Sequence, residues 1–306
     1  MNPIQEHSVS VSDPGLRDGV AVLQATHDEP PAIVSISDIH GYLDRARSAL
    51  LSLRDRSGHD PIVQTDDTGR LQWANENYIL VFNGDLIDRG PANEAVLQMV
   101  SRLGAQAPTG RVRVTLGNHE AIALSADHYP YSGWYAGQSD VQDRRALLHS
   151  IRDGFVVAAY QGYNYTYAHA GSNEPYDVEE TNQQLLAAAE DLLDAIGTQT
   201  DATRQKAVID RYSRVLGTGN GPSPKGEGAG LVWLDFAHLS ADAPAQIVGH
   251  TKFKTPQQKG QVICQNVIRR NEHQNNPGGE TVFVETPDNV MAITRTKDGA
   301  TRQRQY

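Results

Sequence analysis

The chain has 306 residues, 39% hydrophobic and 21% charged, which is enough apolar content for a sizeable core and too little charge for a disordered chain. Asp and Glu outnumber Lys and Arg by 37 to 27, a formal net charge of −10, which excludes a nonspecific nucleic-acid or anionic-membrane binder. One cysteine, Cys264, excludes an internal disulfide.

Residues 1–30 are weakly patterned and read as an N-terminal extension, with Val20 to Leu23 as a first edge strand and Pro30-Pro31 closing it. The polar start, Met1 to Asp13, has no apolar core, and no run approaches about 18 apolar residues, so a soluble cytoplasmic protein is expected. Ala32 to Ser37 reads as a strand running into Asp38-Ile39-His40-Gly41. Leu43, Ala46, Leu50 and Leu53 then mark the apolar face of a helix that ends near Ser57-Gly58. Residues 59–75 read as a polar loop or small hairpin turning at Asp66-Asp67-Thr68-Gly69.

Tyr78 to Phe82 is an apolar run of buried-strand type. It runs into Asn83-Gly84-Asp85-Leu86-Ile87-Asp88-Arg89-Gly90, and a helix with proline in its first turn follows from Pro91 to about Leu103. Arg111 to Leu116 reads as a third strand, entering Gly117-Asn118-His119-Glu120. Residues 127–140 form an aromatic, glycine-containing loop over the site, where packing is preferred to a base-stacking platform for Tyr129 to Tyr135. A short helix spans Arg144 to Ile151. Phe155 to Tyr160 and Tyr163 to Ala168 read as two strands of a hairpin around Gln161-Gly162, the second entering His169-Ala170-Gly171.

Residues 178–196 and about 201–216 read as two helices, and residues 217–230, with six glycines and two prolines, as a mobile loop. Gln246 to Val248 leads into Gly249-His250-Thr251, and strands are expected near 261–268, 281–285 and 290–294. No internal repeat or clean linker is visible, so one domain over 31–306 is expected, with a helical insertion at about 176–230.

Strand ends therefore carry Asp38, His40, Asp85, Asp88, Arg89, Asn118, His119, His169 and His250. Loops at strand ends are where α/β proteins bind ligands. Carboxylates, imidazoles and an amide suit divalent Mn, Fe or Zn, and the absence of thiolates excludes a structural zinc site. Asp38, His40, Asp85, Asn118, His169 and His250 make six ligands, enough for two metals sharing one carboxylate. In Asp38-x-His40, strand alternation would aim both side chains the same way.

These blocks resemble the five motifs of calcineurin-like metallophosphoesterases, and the Asp88-Arg89-Gly90 and Asn118-His119-Glu120 forms resemble the phosphoprotein phosphatase branch. That branch includes bacterial-type serine/threonine phosphatases and symmetrical diadenosine tetraphosphate hydrolases. The resemblance implies an α/β fold, a four-layer α/β/β/α sandwich with a small helical insertion. It implies that Asp38, His40 and Asp85 hold one metal, and that Asp85 bridges to a second completed by Asn118, His169 and His250. Two Mn ions are expected first, with Fe or Zn as alternatives. A metal-bridging hydroxide would attack phosphorus in line, with His119 as general acid oriented by Asp88. Arg89 and Asn118 would bind substrate.

The implied substrate is a phosphorylated protein or a small phosphate ester. A serine/threonine protein phosphatase is preferred and a dinucleoside polyphosphate hydrolase is the alternative; no nucleic-acid or membrane partner is expected. A catalytically dead binding module is disfavoured, since all six metal ligands are present. One departure stands out. The branch places a second arginine after a tryptophan, whereas here Leu234-Asp235-Phe236 follows Trp233. Lys225, Lys252 or Lys254 are candidate substitutes.

Overall fold

The computed structural model describes residues 13–26, 29–56, 58–275 and 277–306. Residues 1–12 of the expected extension, and Ser57 at the expected end of the first long helix, lie outside the described residues. The extension's described part is helical rather than a strand. Helices α1 (Pro14–Asp18) and α2 (Ala21–Thr26) flank Gly19. Val20 and Leu23 are buried three residues apart, a helical rather than an alternating spacing. Arg113 ties this segment down by donating to the Leu16 and Arg17 carbonyls at 2.9 and 3.3 Å.

Seven strands make the first sheet, in the order β14-β13-β12-β1-β4-β5-β6. Its parallel heart is β1 (Ala32–Ile36), β4 (Tyr78–Phe82), β5 (Val112–Thr115) and β6 (Val156–Val157). These strands are buried on both faces, which explains their unbroken apolar sequences. Helices α3 (Leu43–Leu51) and α4 (Asn93–Gln106) supply two of the crossovers, and they share a core with Val34, Ile36, Leu80 and Phe82. Ile33, Ile79 and Val81 point the other way, into a second core shared with Tyr160, Tyr167, Ile247 and Ile263. That core joins the first sheet to the second, ordered β10-β11-β9-β8-β7. It contains β7 (Ala159–Gln161), β8 (Thr166–Ala168), β9 (Gln246–Val248), β10 (Gln257–Lys259) and β11 (Val262–Cys264). Two packed sheets with helices against them agree with the expected sandwich.

The sequence run Phe155 to Tyr160 is not one strand. Its halves, β6 and β7, belong to different sheets, and Ala158 is the joint. Asn182 explains the break. Its side-chain oxygen accepts from the Ala158 and Ala159 amides at 2.8 and 3.1 Å, taking donors that a continuous ladder would need. Asn182 lies on α7 (Val178–Ala195). The second expected insertion helix is also divided, into α8 (Asp201–Arg211) and α9 (Ser213–Leu216), around Tyr212 at φ −104°, ψ 41°. A two-stranded hairpin of β2 (Val63–Thr65) and β3 (Leu71–Trp73) occupies the expected place.

Strand β12 (Thr281–Glu285) pairs antiparallel with β1, β13 (Val290–Arg295) with β12, and β14 (Thr301–Gln305) with β13. The sequence reading omitted β10, β14, α5 (Asn118–Leu124) and α10 (Ile268–His273), and α6 (Val141–Arg152) runs longer than expected. In both sheets the parallel strands β1, β4, β5 and β8, β9 aim their C-terminal ends at one place.

Candidate metal centre and proton-donor pair

Asp38 and His40 follow β1, Asp85 and Asp88 follow β4, and Asn118 and His119 open α5 after β5. His169 follows β8 and His250 follows β9. All eight are buried. Arg89, the ninth residue of the set, is exposed at the mouth.

The backbone is strained where it carries these groups. Among the described residues, seven non-glycine residues have positive φ, and six are Asp38, His40, Asp85, Asp88, Arg89 and His250. Such left-handed positions cost ~1–3 kcal/mol each and persist only when their surroundings fix them. Asp38 and His40 thus lie past the strand, at φ 50° and 49°, and strand alternation does not aim them as expected. Hydrogen bonds do. Asp38 accepts from Asn266 Nδ2 at 2.6 Å and from the His250 amide at 3.0 Å. His40 Nδ1 donates to the Ile87 carbonyl at 3.0 Å, which leaves Nε2 facing Asp38 Oδ1 at 3.9 Å and Asp85 Oδ2 at 3.6 Å. Gly84 is required by the same crowding: at φ 77°, a Cβ there would sit 2.5 Å from His169 Nδ1.

A second set meets the first at Asp85. His169 Nδ1 donates to the Asn83 carbonyl at 3.0 Å, and its Nε2 lies 3.4 Å from Asp85 Oδ2. That Nε2 also lies 3.2 Å from His250 Nδ1 and 3.3 Å from Asn118 Oδ1, while His250 Nδ1 and Asn118 Oδ1 are 2.9 Å apart. Two ring nitrogens, an amide oxygen and a carboxylate therefore converge with more lone pairs than protons to share. The potential ligand atoms of Asp85, His169 and His250 lie within 4.8 Å of one another, as do those of His40, Asp85 and His119. These His/Asp clusters could hold divalent metals, and the donor chemistry and the convergence of buried acceptors fit such ions.

The electrostatics point the same way. Burial raises the Asp38 carboxyl to about 7, with the Asp85 charge adding to it and His169 opposing it. Burial works against a charged His169, yet the Asp85 carboxylate overrides it and lifts the imidazole to about 9. Burial, helped by the His119 charge, lowers His40 to about 3 against the pull of Asp85. Two buried carboxylates with no lysine or arginine in ion-pair contact among the described residues want a cation.

Beside this cluster, His119 Nδ1 donates to Asp88 Oδ2, and Asp88 Oδ1 accepts from the Ala136 amide at 3.1 Å. The His119 amide donates to Asp85 Oδ1 at 3.0 Å. Helix α5 thereby begins inside the site.

Several residues here were not assigned a task from sequence. Glu120 accepts from the amides of Asp85, Leu86 and Gly117 at 2.9, 2.9 and 3.1 Å, fixing the loop that carries Asp85. Its place in the Gly117-to-Glu120 block was the available signal. Trp134 stacks on His119, with ring centroids 5.0 Å apart and planes at 11°, and on Tyr131 at 4.2 Å. The aromatic loop is thus packing, and it packs on the site itself. Asn266 comes from the C-terminal third, where no sequence signal marked it.

Comparison with known proteins agrees with this geometry. The sequence model of the calcineurin-like phosphoesterase family matches residues 31–251. Shewanella-like protein phosphatase 2 of Arabidopsis thaliana is 27% identical over 108 residues, 35% of this chain and 25% of the relative. The symmetrical bis(5′-nucleosyl)-tetraphosphatase of Yersinia pestis (strain Pestoides F) is 31% identical over 156 residues, 47% of this chain and 43% of the relative. The chain therefore matches less than half the length of each of these two relatives. The fold is shared with the cold-active protein-tyrosine phosphatase of a psychrophilic Shewanella species, at TM-score 0.53 and 19% identity, covering 89% of this chain and 80% of that one. No helix among the described residues is long and apolar enough to cross a membrane.

Proposed function

From the premise that this chain belongs to the calcineurin-like phosphoesterase family, and is a metal-dependent phosphoric ester hydrolase, we propose that it hydrolyses phosphomonoesters on serine or threonine side chains of proteins. Asp38, His40 and Asp85 would hold one divalent ion, and Asp85, Asn118, His169 and His250 a second, with Mn²⁺ preferred. The ions would supply a nucleophile active at neutral pH and neutralise phosphate charge. His119 donates a proton to the leaving-group oxygen, and Asp88, which accepts from its Nδ1, fixes the ring. Arg89 holds the phosphate oxygens with a planar fork.

The observation that carries the choice of substrate is the state of the aromatic loop. The Trp134 ring is already engaged by Arg89, 3.6 Å from its centroid, as well as by His119 and Tyr131. A dinucleotide would need a free stacking surface for its base, and these rings are taken. The Yersinia relative supports the alternative, hydrolysis of dinucleoside polyphosphates.

A panel of phosphopeptides, mononucleotides and dinucleoside polyphosphates with Mn²⁺ decides between them. Phosphopeptides should give the highest kcat/KM. A preference for dinucleoside tetraphosphates of tenfold or more would replace the phosphatase reading with the alternative.

A further inference from the structure

Away from the metal centre, a cavity of about 540 Å³ opens beside α10, a volume within the range of small-molecule sites. None of the nine site residues lines it. Three stretches of chain form its walls. They are residues 254–255 after β9, Asn271 on α10 with Gly278 and Gly279 beyond it, and the hairpin of β13 and β14 from Thr294 to Arg302.

The walls are tied to one another, so the cavity is formed in advance of any ligand. Asn271 Nδ2 donates to the Lys254 carbonyl at 3.0 Å. The Gly279 amide donates to the Arg295 carbonyl at 2.7 Å, and the Arg295 side chain donates to the Gly299 carbonyl at 2.9 Å. Gly278 closes on the hairpin at φ 73°, and a Cβ there would lie 2.6 Å from the Thr296 carbonyl oxygen. Walls held in this way lose little freedom when a ligand fills the space between them.

The charge of the cavity is opposite to that of the chain. The neighbouring acids Glu272, Glu280 and Asp55 are engaged by Arg45 and Arg295, at 2.7, 3.1 and 2.7 Å. The rim then carries Lys254, Lys297 and Arg302, three exposed cations around one opening. Asp298 is the one acid among the described lining residues. Thr296 Oγ1 and the Ala300 amide donate to its Oδ1 at 2.5 and 3.4 Å, which turns that oxygen into the hairpin, and the Arg302 charge acts on it. The rim is therefore net positive in a chain of formal charge −10, and a concave surface of one sign concentrates ions of the other. Charges along an edge strand such as β14 also guard against edge pairing, but Lys254 lies on no strand. No aromatic side chain is among the described lining residues, so a base would have nothing to stack on. Threonine methyls and the stems of the lysines and arginines suit an aliphatic body instead.

We propose that this cavity is a second binding site, for a small aliphatic polyanion, a phosphate ester or a polycarboxylate, whose charged groups reach Lys254, Lys297 and Arg302. Arg302 supplies a planar fork and the lysines point charges. The site is independent of the substrate proposed for the metal centre.

Hydrogen exchange read by mass spectrometry on the full-length chain resolves the two sites. The probes are methylenediphosphonate, which has no hydrolysable phosphate link, and tricarballylate. Each is titrated at physiological ionic strength, where loose surface attraction is screened. Exchange should slow saturably in the peptides that cover Gly278, Gly279 and the 294–302 hairpin, with methylenediphosphonate for a phosphate ligand and with tricarballylate for a carboxylate one. Arg302→Gln, and Lys254→Gln combined with Lys297→Gln, should each shift the midpoint of that protection by about tenfold or more. Any protection of peptides containing His119 and His169 should keep its wild-type midpoint. The three side chains are exposed, so the variants should melt with wild type. No protection of the hairpin by either probe, or a midpoint within twofold of wild type in the variants, overturns the site. Protection confined to the peptides of the metal centre overturns it as well.

Discussion

The guanidinium of Arg89 lies 3.6 Å from the centroid of the Trp134 ring, and the same indole stacks on the imidazole of His119. One side chain from the aromatic loop thus orders two groups from two different strand ends. An exposed arginine would otherwise sample many rotamers, and holding it in one reduces the entropy lost when phosphate binds. A cation over an indole at a partly open site is worth ~0.5–1 kcal/mol. Trp134→Ala should therefore lower kcat/KM for p-nitrophenyl phosphate by roughly twofold to fivefold. Trp134→Phe should restore much of it. An unchanged kcat/KM in the alanine variant would remove Trp134 from any positioning role.

His119 and Asp88 form a separate unit within the same site. General acid catalysis contributes ~10²–10⁴-fold, so His119→Asn should reduce kcat by that amount while leaving bound metal near the wild-type level. Asp88→Asn should have a smaller effect on kcat. The carboxylate accepts from His119 Nδ1 and holds the ring in place, so the variant should lose kcat through misorientation of the ring while KM stays near wild type. The kcat and KM of both variants for p-nitrophenyl phosphate are the measurement, and an unchanged kcat in Asp88→Asn would count against the pairing.

Metal loading should release protons. Ligation requires an ionised Asp38 and a neutral His169, yet in the metal-free protein these groups sit at about 7 and about 9. Below about 7 both protons must leave, between about 7 and 9 chiefly the imidazolium proton, and above about 9 neither. Mn²⁺ affinity should accordingly rise with pH across this range and level off above it. Calorimetry in buffers of different ionisation enthalpy counts the protons directly; zero release at pH 7 would contradict the charge states described here. Asp85→Asn, which removes the carboxylate common to both ligand sets, should lose most of the bound metal by elemental analysis.

The parallel core, and the polar blocks at its strand ends, were legible in sequence because buried strands read as apolar runs that stop where a block begins, as Tyr78–Phe82 does before Asp85. Such runs are local, and burial on both faces leaves little else they can be. The joint at Ala158 was not legible, since its cause is the Asn182 side chain on another element. Strand β14 escaped because its Thr-Arg-Gln-Arg-Gln sequence is exposed along an edge and has no apolar alternation. Trp134 acquires its significance only from what the fold sets beside it.

Far from the chemistry, Arg144 makes a two-pronged pair with Asp201, at 2.8 and 2.7 Å, that ties α6 to α8. The guanidinium is buried, with 3% of its side chain exposed, and it also donates to the Leu124 carbonyl at 3.0 Å at the end of α5. Asp201 further accepts from the Gly197 amide at 2.8 Å and from Gln205 at 2.9 Å, and Gln205 reaches Asp127 at the base of the aromatic loop. Removing one partner strands the other. Asp201→Ala should cost about 3 kcal/mol in urea denaturation, because it leaves a buried guanidinium with only the exposed Asp127 carboxylate, 3.8 Å away, to offset its charge. Replacing both, as in Arg144→Met with Asp201→Leu, should recover much of that loss, since apolar side chains need no compensation. The pH dependence has a definite sign. Burial alone would raise Asp201, but hydrogen bonds from Arg144 and Gln205 hold it at about 2, below its ordinary 3.8. A carboxylate with a lowered folded-state value contributes stability that is complete above its unfolded value and fades as pH falls through the folded one. The stability gap between wild type and Asp201→Ala should therefore be constant at neutral pH and shrink between about 3.8 and about 2. A gap that persists undiminished at the acid end would mean that shape, rather than charge, is what Asp201 contributes.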